Sequence, residues 1–325
     1  MPDTAYLGID IAKRKFDVAL ARPDGKVRVK ACPNTPAGYT ELVAWIARQH
    51  PGAVHVCLEA TGPYGEPVAE ALADAGYTVS VVNPAMIEAY ARSRLTRTKT
   101  DRVDARLIAQ FCATQQPPPW VPLPREVRTL QAVVRRLDAL EGMRTQERNR
   151  LVAEPADAVI RASIQHVIDL LEDEMATLRA RIHDHLDQHP DLRAQRDLLT
   201  SIPGIGEATA AVLLAEFGPL TRFRQAPACA AFAGLVPRLG ESGTSVRRKP
   251  VLSKLGVPAL RKALFYPAMV ALRHNPIIAA FGQRLRATGK HKMVVIAAAM
   301  RKLAHLAFGV IKTGQPFNPD HVVRR

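Results

Sequence analysis

Two short apolar runs, each stopping on a carboxylate, constrain this chain most. Tyr6-Leu-Gly-Ile-Asp10 and Ala53-Val-His-Val-Cys-Leu-Glu59 both read as buried strands with an acid at the end. After the first, Lys15-Phe-Asp-Val-Ala-Leu-Ala21 alternates in polarity. Pro23-Asp-Gly25 is a hairpin signal, and Lys26-Val-Arg-Val-Lys30 alternates strictly beyond it. The chain therefore begins with three successive antiparallel strands. Pro36 opens a helix with Leu42, Val43, Trp45 and Ile46 on its apolar side. The second acid-ended strand comes next. Pro63 begins a helix that Gly76 ends, residues 77–82 form a fifth strand, and Asn83-Pro84 starts another helix. A polar, basic link then leads into Lys99-Thr-Asp-Arg-Val-Asp-Ala105.

In that last stretch Asp101 and Asp104 are three residues apart at a helix start, so both carboxylates point to one face. Two like charges held so close repel unless a positive charge lies between them, and hard oxygen ligands suit magnesium. Taken singly, each acid is an ordinary strand-end or cap residue. Taken together, the order βββαβαβα with acids on the first strand, the fourth strand and a late helix is the ribonuclease-H-like arrangement. The first and fourth strands are neighbours in that sheet. Asp10 and Glu59 then stand side by side, with Asp101 and Asp104 laid against them. Four such carboxylates can hold two magnesium ions about 3.5–4 Å apart and activate a nucleophile at a phosphodiester. Glu59-Ala-Thr-Gly62 adds a tight turn.

The chain of 325 residues, 47% hydrophobic, is long enough for two or three domains. Its net charge of +15 favours a polyanionic partner, most often nucleic acid, although a ribosomal or non-specific basic protein fits the charge equally well. Cys32, Cys57, Cys112 and Cys229 have no metal-binding spacing and read as small buried hydrophobes in a reducing compartment. No signal peptide and no membrane-spanning run of about 18 apolar residues is recognised, so a bacterial-type cytoplasmic protein is expected.

Five prolines between residues 115 and 124 mark a stiff linker and a domain boundary. Beyond it, Val127, Leu130, Val134 and Leu137, then Ile164, Ile168, Leu171, Met175, Leu178 and Ile182, keep heptad-like spacing. An antiparallel helical pair and an oligomerising coiled coil both satisfy it. Ile202-Pro-Gly-Ile-Gly206 resembles the hairpin of a helix-hairpin-helix, with Gly204 and Gly206 freeing backbone N–H groups for a phosphate. From residue 222 to residue 265 the basic residues Arg222, Arg224, Arg238, Arg247, Arg248, Lys249, Lys254, Arg261 and Lys262 face one acid, Glu241. So one-sided a segment is a plausible phosphate track. Gly240-Glu-Ser-Gly-Thr-Ser245 reads as a small flexible loop within it. A serine there could attack phosphorus, but the residues alone do not choose among Ser242, Thr244 and Ser245. Helices over residues 257–273 and 293–311 close the chain. The expected domains are 1–114, α/β; 115–197, linker and coiled-coil helices; and 198–325, mainly α with the helix-hairpin-helix.

Gly8-Ile-Asp10, Glu59-Ala-Thr-Gly62, residues 99–105, Ser201-Ile-Pro-Gly-Ile-Gly206, Phe232-Ala-Gly-Leu-Val-Pro237, Glu241-Ser-Gly243 and Met300-Arg-Lys-Leu-Ala304 follow one another in order. The set resembles the DEDD insertion-sequence transposases related to the Piv invertase, whose members are bridge-RNA-guided DNA recombinases. The resemblance covers nearly the whole chain. It implies a RuvC-like N-terminal domain, a coiled-coil middle and a C-terminal transposase domain. Asp10, Glu59, Asp101 and Asp104 become the metal-binding tetrad, and the family's serine nucleophile falls on Ser242. The implied partners are donor and target DNA, a structured non-coding guide RNA, and further copies of the chain, dimers assembling to a tetramer. A hydrolytic, Holliday-junction-type nuclease of the same fold is the main alternative. A non-enzymatic nucleic-acid binder and a sugar-kinase or actin-type ATPase are weaker; the missing glycine-rich loop after the first strand counts against the last.

Overall fold

The computed structural model describes residues 4–50, 52–60, 64–94, 101–153, 157–242, 246–253 and 255–320, with the backbone alone at 101–103, 238–242 and 246–251. The chain forms two compact units, residues 1–122 and 123–325.

The first unit is built on a five-stranded sheet. Its strands are β1 (Ala5–Ile11), β2 (Lys15–Ala21), β3 (Val27–Pro33), β4 (Val54–Glu59) and β5 (Thr78–Val82). They lie in the order β3-β2-β1-β4-β5. β1, β2 and β3 are antiparallel neighbours, while β4 runs parallel to β1 and β5 parallel to β4. Four helices are interleaved: α1 (Pro36–Gln49), α2 (Glu66–Asp74), α3 (Pro84–Ser93) and α4 (Asp101–Gln115). Their starts follow the capping chemistry of the sequence. Thr35 and Asn83 accept from the backbone of Gly38 and Ala85, each with a proline at the next position.

Strand alternation sorts the sheet into two faces. Leu7, Ile9, Phe16, Val18, Leu20, Val56 and Leu58 pack with α1 and α2. On the opposite face Tyr6, Cys57 and Val82 pack with Ile87 of α3 and with Leu107, Ile108, Phe111 and Cys112 of α4. The proline-rich run after α4 covers the free edge of β5. The Trp120 amide donates to the Val79 carbonyl at 2.7 Å, and the Ser80 hydroxyl lies 2.9 Å from the carbonyls of Pro117 and Pro118. An edge strand is thereby shielded from pairing with another chain.

The second unit is mainly helical. α5 (Arg125–Ala153) and α6 (Ala158–Gln188) form an antiparallel pair, closed along its length by Arg148–Glu172, Arg179–Glu141 and the His185 ring on the Glu126 carbonyl. α7 (Pro190–Thr200) and α8 (Glu207–Phe217) follow, joined by the short turn over residues 201–206. α9 (Ala226–Phe232) follows, then β6 (Pro237–Ser242) and β7 (Val246–Leu252). α10 (Pro258–His274), α11 (Pro276–Ala287) and α12 (Lys292–Thr313) complete the unit. α12 is long and apolar enough to cross a membrane, yet most of it is buried among α7, α9, α10 and α11. It is the central core helix.

Two polar contacts fix α5 onto α8; in the first, Gln131 donates to the Ala215 carbonyl at 3.0 Å, and the second is an ion pair. Glu216 has a side chain only 3% exposed, and Arg135 grips both its oxygens, at 2.8 and 3.0 Å. Removing the guanidinium leaves a buried carboxylate without its charged partner. Arg135→Ala should therefore cost about 2 kcal/mol in chemical denaturation, and a loss within error would show that Glu216 is satisfied without it.

Candidate active site

Asp10 and Glu59 reach the same rim of the sheet because their strands are parallel neighbours in register. Ile9 pairs with Leu58, so the residues that follow, Asp10 and Glu59, stand together at the carboxyl ends of β1 and β4. Alternation puts Asp10 on the face of Gly8 and Glu59 on the face of Cys57, which is the face that α4 covers.

The position of α4 depends on Gly8. A Cβ there would fall 2.1 Å from the Ala105 carbonyl oxygen and 2.3 Å from the Ala109 nitrogen. Only a residue without a side chain lets the helix backbone lie this close to the strand. Farther along α4, Cys112 contacts the His55 carbonyl at 3.6 Å, level with Tyr6 on β1. The helix thus runs antiparallel to β1 and points its first turn at the carboxyl-end rim. Asp104, next to Ala105, and Asp101, three residues earlier, are delivered to the end where Asp10 and Glu59 stand. Asp10, Glu59 and Asp104 are each half-buried, and the Asp101 side chain lies outside the described residues. Among the described residues no three such side chains are drawn close enough to enclose one ion.

A further acid shares this face and was not singled out in the sequence. Asp17 pairs directly opposite Asp10 and is 5% exposed; its carboxylate meets the Lys15 ammonium at 2.9 Å. The signal was present, since the alternation of β2 puts Lys15 and Asp17 together on the face away from Phe16 and Val18.

In the second unit, Ser242 is the last residue of β6 and pairs with Val246; Glu241 lies opposite Arg247, and Gly240 opposite Arg248. Of the segment expected to be a loop, residues 240–242 therefore form the end of β6, paired with β7, and residues 243–245 lie outside the described residues. Thr244, Ser245 and Lys254 lie outside the described residues, and for Arg238, Arg247, Arg248 and Lys249 only the backbone is placed. Not every cation of the proposed phosphate track is available for phosphate. Arg261 donates to the carbonyls of Ala233 and Gly256 at 3.1 and 3.2 Å. Lys262 pairs with Asp138. The Arg222 guanidinium stacks between Phe223 and Phe232, 5.0 and 4.7 Å from their rings. In the α7–α8 hairpin, Gly204 has φ +108° and its bare Cα is pressed against the Pro267 carbonyl, so packing onto α10 already demands glycine there. Gly206 is the N-cap of α8, with open space around its Cα. All four cysteines are buried; burial pushes the Cys229 thiol up to about 12, and the side-chain hydrogen bond with Cys57, aided by burial, raises Cys112. With their pKa values raised, the Cys112 and Cys229 thiols are neutral at pH 7 and poor nucleophiles.

A sheet with acids at one rim and a basic helical unit fit a protein that acts on nucleic acid, and the comparisons with known proteins give the class. Residues 7–153 match a family model described as a transposase of the IS110 type, and residues 196–283 match one described as "Transposase IS116/IS110/IS902 family". Pilin gene-inverting proteins of Moraxella bovis and Moraxella lacunata are 34% identical over 96% of this chain and 97% of theirs. The transposase of insertion element IS1328 from Yersinia enterocolitica is 26% identical over 98% of this chain and all of its own. The chain belongs to the IS110 family of transposases, the group related to the pilin gene invertase, and is a DNA recombinase.

Proposed function

We propose that this transposase uses a RuvC-like, ribonuclease-H-like first unit whose tetrad is Asp10, Glu59, Asp101 and Asp104, together with Ser242 as nucleophile. The observation that carries the reading is the delivery of α4's first turn, by the Gly8 contact, to the rim where Asp10 and Glu59 end adjacent strands. The strand order with β1 central and β2 antiparallel to it is what such a fold requires. The donor set is carboxylate oxygen only, which fits a hard divalent ion such as magnesium, two per site, better than a soft one. When bound, such ions supply charge stabilisation at the phosphoryl oxygens. The four carboxylates hold and orient that charge against one phosphodiester.

Ser242 then attacks phosphorus through Oγ. The bond to the 3′ oxygen breaks, and that oxygen leaves with the proton the serine gives up, as a free 3′-hydroxyl. A phosphoserine link conserves the bond energy, so another strand's 3′-hydroxyl rejoins without ATP. By the family resemblance, acids and serine of different protomers meet in an assembled tetramer. A structured guide RNA pairs with donor and target DNA while the protein grips backbones, a division of labour known from other guided enzymes. Within the cytoplasm such a protein works at the nucleoid. The phosphate grip falls to the basic segment from residue 222 to residue 265, where Glu241 is the single acid, and to the hairpin before it. Arg238, Arg247, Arg248, Lys249 and Lys254 and the α7–α8 hairpin at Gly204 and Gly206 are its expected contacts.

The test uses labelled donor and target DNA, magnesium and RNA from the native locus, comparing the wild type with Ser242→Ala. A denaturant-resistant protein–DNA adduct that needs both RNA and Ser242 is expected. Nicked DNA without adduct, indifferent to Ser242, would establish the hydrolytic nuclease instead. Nucleic-acid affinity should also fall about a thousandfold from about 50 to about 200 mM salt, because many phosphates are contacted. A flat salt dependence would contradict the phosphate grip.

A further inference from the structure

Lys15 and Asp17 sit in the acidic rim without belonging to the tetrad. Both lie on the β2 face that carries Asp10 across the strand pair, because β2 alternates and Asp17 is the register partner of Asp10. Directly opposed residues in an antiparallel pair have Cα atoms about 4.5–5.5 Å apart. Two carboxylates so placed repel each other. Asp17 is moreover buried, with a side chain 7% exposed, where an uncompensated charge is not tolerated. The compensation is Lys15, whose ammonium is 2.9 Å from the Asp17 carboxylate while its side chain stays 52% exposed. The backbone holds it there, since the Ala12 amide donates to the Lys15 carbonyl at 2.9 Å and closes the turn between β1 and β2. An ammonium is therefore held on Asp17, the register partner of Asp10, on the sheet face that also carries Glu59 and the first turn of α4.

We propose that Lys15, anchored by the buried Asp17, is a resident counter-ion of the carboxylate rim and sets how weakly the site takes a divalent ion. The inference rests on the tetrad reading and adds two residues to it. A fixed positive charge beside the ligands offsets their mutual repulsion in the metal-free protein and opposes the entry of an ion of charge +2. Asp17 acts as a positioning residue through Lys15. A lysine on a four-carbon stem can also stay close to its anchor while the ligands close on a metal, as an arginine at this place can.

The experiment titrates the full chain with magnesium chloride alone at low ionic strength. It reads the shift of the thermal unfolding midpoint and the heat of binding for the wild type, Lys15→Gln, Lys15→Arg and Asp10→Asn. Gln keeps a donor for Asp17 and removes the charge. Lys15→Gln should half-saturate at about tenfold lower magnesium than the wild type. Lys15→Arg should match the wild type, and Asp10→Asn should lose most of the response. Lys15→Met is the second neutral variant should Lys15→Gln fail to fold, and the same tightening is expected of it. Neutral variants that bind magnesium as the wild type does, or more weakly, overturn the counter-ion while Asp10→Asn still reports on the tetrad. Identical titrations of the wild type and Asp10→Asn overturn the tetrad, and the counter-ion falls with it.

Discussion

Replacing Asp10 by Asn should lower recombination at least about a thousandfold while leaving the protein as stable as the wild type or slightly more so. The two effects diverge for one reason. Asn has the shape of Asp, so the end of β1 keeps its pairing with β2 and β4. It lacks the charge, however, so repulsion from Asp17 directly opposite, and from Glu59 on the neighbouring strand end, is relieved. On the tetrad reading, Asp10 would then serve the chemistry at a small cost to the fold. Glu59→Gln and Asp104→Asn should behave alike, since each removes one hard ligand from the same rim. The measurement pairs a strand-transfer assay with a thermal melt on each variant. Wild-type product from any one of them removes that residue from the tetrad. Loss of product together with a much lower midpoint would mean that the acid is a structural ligand and not a catalytic one.

Much of the first unit was legible because its elements announce themselves through local chemistry. Pro23-Asp-Gly25 turns β2 into β3, Thr35-Pro36 and Asn83-Pro84 start helices, and Gly76 stops one. With those boundaries set, the pairing of β1 with β4, and with it the meeting of Asp10 and Glu59, followed from topology. Asp17 was passed over because the reading followed acids at strand ends, and Asp17 lies inside a strand. Its importance comes from a cross-strand partner seven residues earlier, which appears only once the register is known. That residues 240–242 end a strand and do not begin a loop is hidden in the sequence for a different reason. β6 and β7 carry Gly240, Ser242, Arg247, Arg248 and Lys249 in place of the alternating apolar residues that mark a buried strand. The basic track was overcounted because composition does not distinguish a cation facing solvent from one, like Arg261, that holds backbone carbonyls. Likewise the prolines at 117–124 mark a stiff link and a domain boundary, and the two units do divide after residue 122, but composition does not reveal that Trp120 and Ser80 tie the run to β5.

Gly8→Ala should be among the most damaging single-methyl changes in the first unit. The added carbon has no room, since it lies 2.1 Å from one backbone atom of α4, 2.3 Å from a second and 2.9 Å from a third, at Ala105, Ala109 and Ile108. Flexible side chains can turn away from such a clash, but helix backbone can relieve it only by moving as a body. α4 must therefore retreat from β1 by the order of an ångström, opening the layer of Cys57, Leu107, Ile108 and Cys112 beneath it. Overpacking of this kind costs about 3 kcal/mol. The functional loss should be larger than the loss of stability. Asp104 is bonded to Ala105, the point of collision, so the retreat carries it and Asp101 away from Asp10 and Glu59. An ångström of misplacement among catalytic groups is worth about a hundredfold in rate. The two contributions separate by temperature, because in the cold, where the variant is still folded by circular dichroism, recombination should remain about a hundredfold below the wild type. A variant that is destabilised yet fully active in the cold would show that the rim tolerates movement of α4. One that is neither destabilised nor impaired would mean that α4 does not lie against β1 at Gly8, and the delivery of Asp101 and Asp104 to the rim would lose its physical cause.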